Sequence, residues 1–222
     1  AAVANGSFLL NSMTVNGYLR HTYKDGQAKI DGYLEDYALV IEGLLALHQA
    51  TFSGKWLRQA TRLSDIMVEH FWDETVGTFY DTSKGQRDLF LRPRSRFDGA
   101  LPCGSSAATM VLLKLAKLTD NEHFGQVAAQ SLRLVRESMS QYPLGFSNWL
   151  CALDFYLSQP KEIAIIGSRD DPATLALLRT LYTAWLPNKV VAAYDPDDLA
   201  PVAELKLLEN RQMVNNQPTV HV

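Results

Sequence analysis

The residues suited to acid–base chemistry gather in two short polar stretches. One is Asp31-Gly32-Tyr33-Leu34-Glu35-Asp36-Tyr37, and its altered echo is Asp98-Gly99-Ala100-Leu101-Pro102. Two carboxylates held several ångströms apart across a sugar ring serve as general acid and general base. Asp31, Glu35, Asp36 and Asp98 are therefore the candidate catalytic carboxylates. Glu35 and Asp36 also open a helix, where the dipole favours acidic side chains whatever the function, so capping is the competing reading. His21 joins the set because an unperturbed imidazole titrates near neutral pH, and taking a proton beside a carbonyl requires such a base. Arg92 and Arg94, followed by Arg96, precede Asp98. Their forked guanidinium groups either grip ligand hydroxyls and carboxylates, or pair with Asp31, Glu35 or Asp98 and hold the loops shut. Tyr37, Ser105 and Trp149 complete the candidate substrate-binding set. Trp149, with Phe146 and Tyr142, offers either a stacking face for a sugar or aromatic core.

Other chemistries find less support. The five histidines are scattered without H-E-x-x-H or comparable spacing, which argues against zinc. Cys103 precedes a helix start, a position expected to lower its thiol pKa somewhat, whereas Cys151 sits in an apolar helix and reads as core. Two cysteines make no disulfide framework, so a reducing, cytoplasmic compartment is the default expectation. Gly167-Ser168-Arg169-Asp170-Asp171 follows a strand and precedes a helix, but it lacks both G-x-G-x-x-G and the phosphate-binding lysine. Its acidic residues suit helix capping better than anion binding. A net charge of −3 without a basic block gives nucleic-acid binding little support. No apolar run approaches 18 residues, which argues against a membrane span.

The elements that must position these residues follow from periodicity. Ala1 to Ser12 reads as the tail of a helix entered partway, with no initiator Met and no basic region of a signal peptide. Asn16 to Tyr23, alternating toward Lys24, and Ala28 to Ile30 flank Asp25-Gly26, a hairpin signal. Leu34 to Ala50 places Leu34, Tyr37, Ala38, Ile41, Leu44, Leu45 and His48 three and four apart, and further apolar residues predict a helix covered on most sides. A more amphipathic helix spans Lys55 to Phe71. A small hairpin is expected from Gly77–Asp81 and Asp88–Leu91 around Ser83-Lys84-Gly85. Further helices are expected at Ser105 to Leu118, capped by Ser105 or Ser106, at Asn121 to Met139, and at Ser147 to Leu157. After Ser158-Gln159-Pro160 the pattern changes to strand (Lys161 to Gly167), helix (Pro172 to Trp185) and strand (Lys189 to Tyr194), a βαβ unit. A short helix at Ala203 to Glu209 and a strand at Thr219 to Val222 complete it. Three strands make a thin sheet that must lean on the helices or on chain beyond it.

A period shows through the helical part. Asp31-Gly32 and Asp98-Gly99 lie 67 residues apart; Thr51 and Thr119, and Trp56 and Phe124, lie 68 apart. A helix pair plus hairpin, used twice and in part a third time, predicts an array or toroid of helical hairpins. Chance agreement of common helix lengths is the alternative.

Several strings add a resemblance. Lys24-Asp25-Gly26-x-Ala28-Lys29-Ile30-x-Gly32-x-Leu34-Glu35-Asp36-Tyr37-Ala38, Phe71-Trp72-Asp73-Glu74, Arg92-Pro93, Asp98-Gly99-x-x-Pro102, Ala152-Leu153-Asp154-Phe155 and Leu186-Pro187-Asn188-Lys189 resemble the thioredoxin-domain-containing family related to spermatogenesis-associated protein 20. The resemblance implies an α/α toroid similar to N-acylglucosamine 2-epimerase and the six-hairpin glycosidases. It also implies a thioredoxin-like domain upstream and a small α/β region downstream. The chain departs from the family at Gly104-Ser105-Ser106, where Gly-Asn-Ser is usual. No epimerase catalytic histidine maps onto it.

Together these readings predict a mainly α protein: a partial (α/α)6-type toroid over 1–158 and a small α/β appendage over 159–222. The expected function is a carbohydrate-binding or sugar-modifying cleft at the helix mouths, with a sugar as partner and no cofactor. The alternative is a noncatalytic scaffold attached to the upstream thioredoxin-like domain.

Overall fold

The computed structural model describes residues 1–86, 90–197 and 205–222. Its helical part is a row of antiparallel hairpins. α1 (Ala2–Ser12) leads through a three-stranded meander, β1 (Thr14–Val15), β2 (Tyr18–Lys24) and β3 (Gln27–Asp31), into α2 (Leu34–Thr51). α3 (Gly54–Phe71), β4 (Trp72–Asp73) and β5 (Thr78–Phe79) follow, then α4 (Gly104–Thr119), α5 (Glu122–Gln141) and α6 (Ser147–Leu157). α2, α4 and α6 pack side by side, while α3 and α5 return antiparallel to α2 and α4.

The Asp25-Gly26 turn forms as the sequence predicts. Both residues have positive φ, 54° and 74°, matching the right-handed twist of the flanking strands. Asn16-Gly17 repeats this geometry and adds β1, a strand the sequence reading did not anticipate. The second expected hairpin is corrected: Thr78–Phe79 pairs backwards with Trp72–Asp73 across a turn at Gly77. Of its expected return strand, Asp88–Leu91, Asp88 and Leu89 lie outside the described residues, and Phe90 and Leu91 are not in a strand.

The 68-residue period is visible in the packing. Phe52 and Asp120 both end an inner helix in the left-handed conformation, with φ 60° and 56°. Trp56 and Phe124, Ala60 and Ala128, Met67 and Val135, and Phe71 and Met139 are all buried at matching positions. A left-handed phenylalanine costs of the order of 1 kcal/mol. Its side chain offsets that strain by entering a second apolar cluster with Ile163, Ile165, Leu181, Val191 and Ala193.

That cluster belongs to a sheet of order β7-β6-β8, formed by β6 (Lys161–Ile166), β7 (Lys189–Tyr194) and β8 (Thr219–His221). β6 and β7 run parallel, joined through α7 (Pro172–Thr183), and β8 runs antiparallel to β6. Alternation sorts the two faces. Ala164, Val190 and Ala192 join the core of the helical array, whereas Ile163, Ile165, Val191 and Ala193 face α7 through Leu178 and Leu181. The thin sheet thus leans on α2 and α4 on one side. Of the expected short helix, Lys206–Leu208 forms a single 3-10 turn, and Ala203 and Glu204 lie outside the described residues.

His48 fastens this junction. It is fully buried near the end of α2, with Nδ1 3.2 Å from the Ser53 carbonyl and Nε2 accepting the Ala193 amide at 3.5 Å. Burial pushes its pKa down, partly countered by the Ser53 carbonyl. None of the helices among the described residues is long and apolar enough to cross a membrane.

Candidate functional site

The N-termini of α2, α4 and α6 open at the same end of the array. A β-carbon on Gly104 would lie 3.0 Å from the Glu35 amide nitrogen and 3.1 Å from Leu34 Cγ, so α4 starts directly against the start of α2. A cleft of ≈ 460 Å³ lies above this seam. Its walls include Tyr33, Glu35, Asp81, Ser95, Phe97 and Leu101. The Leu34 amide donates to the Asp81 carbonyl, which ties the loop after β5 to the first turn of α2.

Asp98 is consumed by structure. One oxygen accepts from the Cys103 amide at 3.0 Å and the Ser106 hydroxyl at 2.6 Å. The other accepts from the Asn148 and Trp149 amides at 2.8 and 3.3 Å. A single carboxylate therefore caps both α4 and α6. The expected serine caps are corrected accordingly: Cys103 is the N-cap residue of α4, its Sγ accepting from the Ser106 amide. The expected lowering of the Cys103 pKa is reversed as well, because burial raises it more than its hydrogen bonds with Ser106 lower it. Cys151, expected in the core, is exposed.

Asp31 is placed otherwise. It forms an ion pair with Arg20 across β2 and β3. Asp36 accepts from the Tyr33 amide at 2.8 Å and faces His21, whose Nδ1 lies 2.9 Å from its Oδ2. The His21 ring meets Tyr33 edge-on at 4.9 Å, and Tyr33 in turn lines the cleft. A carboxylate on Nδ1 fixes the tautomer with that nitrogen protonated and leaves Nε2 as the acceptor. Both side chains are partly open to solvent. The residue opposite His21 on β3 is Ile30, a β-branched residue at φ 61°. Such strain costs of the order of 1–3 kcal/mol and concentrates at functional sites. Glu35 is exposed, and its carboxylate has no hydrogen-bond partner among the described residues.

The arginines turn away from these carboxylates. Arg94 reaches Asp73 at 2.5 Å, and Arg92 donates to the carbonyls of His70 and Thr82. Both guanidinium groups stack on Tyr80, at 3.8 and 4.0 Å from its ring centre. Neither bonds Asp31, Glu35 or Asp98 among the described residues. Asp81, absent from the sequence candidates, holds Ser95 through its amide and hydroxyl. Nothing in its sequence context distinguished it from a strand-end aspartate.

Tyr37, Ser105 and Trp149 are buried. Tyr37 accepts the Leu19 amide through its hydroxyl at 3.0 Å, and Trp149 donates its indole N–H to the Arg96 carbonyl at 2.9 Å. The Ser105 hydroxyl has no hydrogen-bond partner among the described residues. The structure thus brings His21, Glu35 and Asp36 to one side of the mouth. Asp98, Ser105 and Trp149 lie at the adjoining helix starts, and Arg92 and Arg94 lie behind Tyr80.

No family model matches the chain. Sequence similarity relates it to spermatogenesis-associated protein 20. The rat protein is 33% identical over 193 residues, covering 86% of this chain and 24% of the rat protein. The mouse and human proteins are each 31% identical over 193 residues, again 86% of this chain. The chain spans about a quarter of the length of these curated relatives.

Proposed function

We propose that the mouth of α2, α4 and α6 is a small-molecule cleft of the carbohydrate type, with His21 and Asp36, beside its Tyr33 wall, as a paired base and positioning carboxylate. The His21–Asp36 contact at 2.9 Å carries this reading. It orients an imidazole next to a ring that lines the cleft, with Nε2 as the ring atom left for a proton abstraction beside a carbonyl. Glu35 supplies a hydroxyl-binding or acid group, Asp98 holds the two helix starts in place, and Phe97 offers a stacking face.

The array itself is read as part of an (α/α)6-type toroid over 1–158, with 159–222 as its α/β appendage. An apolar groove between α1 and α2 supports this. It is lined by Gly6, Leu9, Leu39, Val40, Gly43 and Leu47, and falls where a further inner helix of the same period would pack.

The test is a binding screen with mono- and disaccharides and N-acyl sugars, followed by NMR of carbon-bound hydrogen exchange in heavy water. Binding is expected with wild type and is expected to weaken, without being lost, in Glu35→Gln. Exchange is expected to vanish in His21→Gln and to fall at least tenfold in Asp36→Asn while binding persists. A chain that binds no sugar removes the reading.

A second reading has its own support. Asp73, Asp81 and Asp98 are all spent on loop and helix-start contacts. Such a rigid mouth suits a noncatalytic scaffold that positions a thioredoxin-like domain elsewhere in a longer, cytoplasmic protein. Absence of sugar binding leaves this role in its place.

A further inference from the structure

We infer that the cleft selects its ligand by charge: it takes neutral or amine-bearing sugars and rejects phosphorylated and carboxylated ones. This rests on the cleft reading above and names its ligand class. Three helix N-termini converge at the mouth, and uncapped ends of this kind attract anions. Here each is already neutralised by a carboxylate of the protein itself. Asp36 takes the amide of Tyr33, the N-cap residue of α2. Asp98 takes the Cys103 amide ahead of α4, and the Asn148 and Trp149 amides in the first turn of α6.

Two further carboxylates, Glu35 and Asp81, line the cleft, and among the described residues no lysine, arginine or histidine does so. The guanidinium groups of Arg92 and Arg94 are held against Tyr80 by Asp73 and by the carbonyls of His70 and Thr82. The opposite wall is apolar, formed by Phe97, Leu101 and Pro102. A sugar phosphate entering this space meets negative charge without a counter-ion among the described residues that line it. A neutral ring places its hydroxyls on Glu35 and its C–H face on Phe97. A protonated amine gains an added attraction.

The experiment compares hexoses, hexosamines and hexuronates of gluco, galacto and manno configuration by calorimetric titration of the whole chain. It is run at low ionic strength and at a pH where amine and carboxylate are both charged. Within each configuration the hexosamine exchanges the C2 hydroxyl for an ammonium and the hexuronate exchanges the C6 hydroxymethyl for a carboxylate, and the other ring substituents stay the same. The uronate is expected to bind at least about tenfold more weakly than the neutral sugar, and the hexosamine at least as tightly. Glu35→Gln narrows the neutral-to-uronate gap, as does added salt. Uronates that bind as tightly as neutral sugars overturn the charge selection and leave the cleft standing. No binding by any sugar overturns the cleft reading and the selection with it. A gap that Glu35→Gln leaves unchanged removes Glu35 as its source and overturns the assignment.

Discussion

The two Asp-Gly loops occupy matching places in the repeat and use their carboxylates in opposite ways. Asp98 gathers three amides and a hydroxyl and fixes two helix starts. Asp31 makes one pair with Arg20 on a hairpin edge, with nearly half of its side chain in solvent. Around Asp98 the polar groups are turned inward onto the backbone. Around Asp31 they are left for neighbours: Asp36 meets His21, Glu35 is free of hydrogen bonds among the described residues, and Ile30 holds a strained conformation. Repetition has kept the helix packing and let the loops diverge. The committed carboxylates belong to the fold, and the open ones are where a ligand can be served.

The largest effect that sharpens this contrast is expected at the Asp98 hub. Asp98→Ala leaves the amides of Cys103, Asn148 and Trp149 without their acceptor and is expected to cost about 3 kcal/mol in urea unfolding. A loss below about 1 kcal/mol would make Asp98 energetically equivalent to a surface pair and break the comparison.

His48 tests the inward-turned pattern at the far end of α2. His48→Leu strands the Ser53 carbonyl and the Ala193 amide in the interior and is expected to cost about 2 kcal/mol at neutral pH. Because burial lowers the folded pKa, the native state binds fewer protons than the unfolded chain. This contribution is complete above the unfolded value near 6.5 and declines as pH falls from there toward the lower folded value. Acid titration of wild type against His48→Leu reads it out, and parallel pH profiles of the two proteins would remove His48 as the cause.

On the open side the sign reverses at Ile30. Ile30→Gly relaxes a left-handed position whose side chain is mostly exposed, and a gain of about 0.5–1 kcal/mol in thermal unfolding is expected. A destabilised variant shows that no strain is held there. Asp31→Asn is the smallest change, expected within about 0.5 kcal/mol because an exposed pair is screened by water and salt. A larger loss that is insensitive to salt would give Asp31 a role like that of Asp98.

The helices were legible in the sequence because their burial follows a strict period. Leu34, Tyr37, Ala38, Ile41, Leu44, Leu45 and His48 are the buried residues of α2, in the predicted register. The βαβ order was readable for the same reason, from the apolar runs at Lys161–Ile166 and Lys189–Tyr194. Hydrogen-bond partners were not legible, because they depend on contacts between distant loops. Nothing local to Asp98 announces an amide at Trp149, and nothing near Arg94 singles out Asp73. The pairing of Thr78–Phe79 with Trp72–Asp73 was missed because two-residue strands carry no alternation to read. Cys151 was placed in the core on the apolarity of its helix, which leaves Leu150, Tyr156 and Leu157 on its outer face as well. His21 could be singled out by type, but its carboxylate lies fifteen positions away and is brought to it only by the strand and the turn at Gly32.

The contact at Gly104 sets a boundary on how this mouth can change over generations. With α4 pressed so closely against the start of α2 that even a β-carbon at Gly104 would crowd the Glu35 backbone, the floor of the cleft is not widened by single substitutions without shifting the two helices. Variation in ligand size is therefore channelled into the segment between β5 and α4, which carries Asp81, Ser95, Phe97 and Leu101 and can lengthen or shorten between Asp81 and Asp98, the residues that hold it to the helix starts. Relatives that accept larger or smaller ligands are expected to differ in the length of that segment and to keep glycine at the seam.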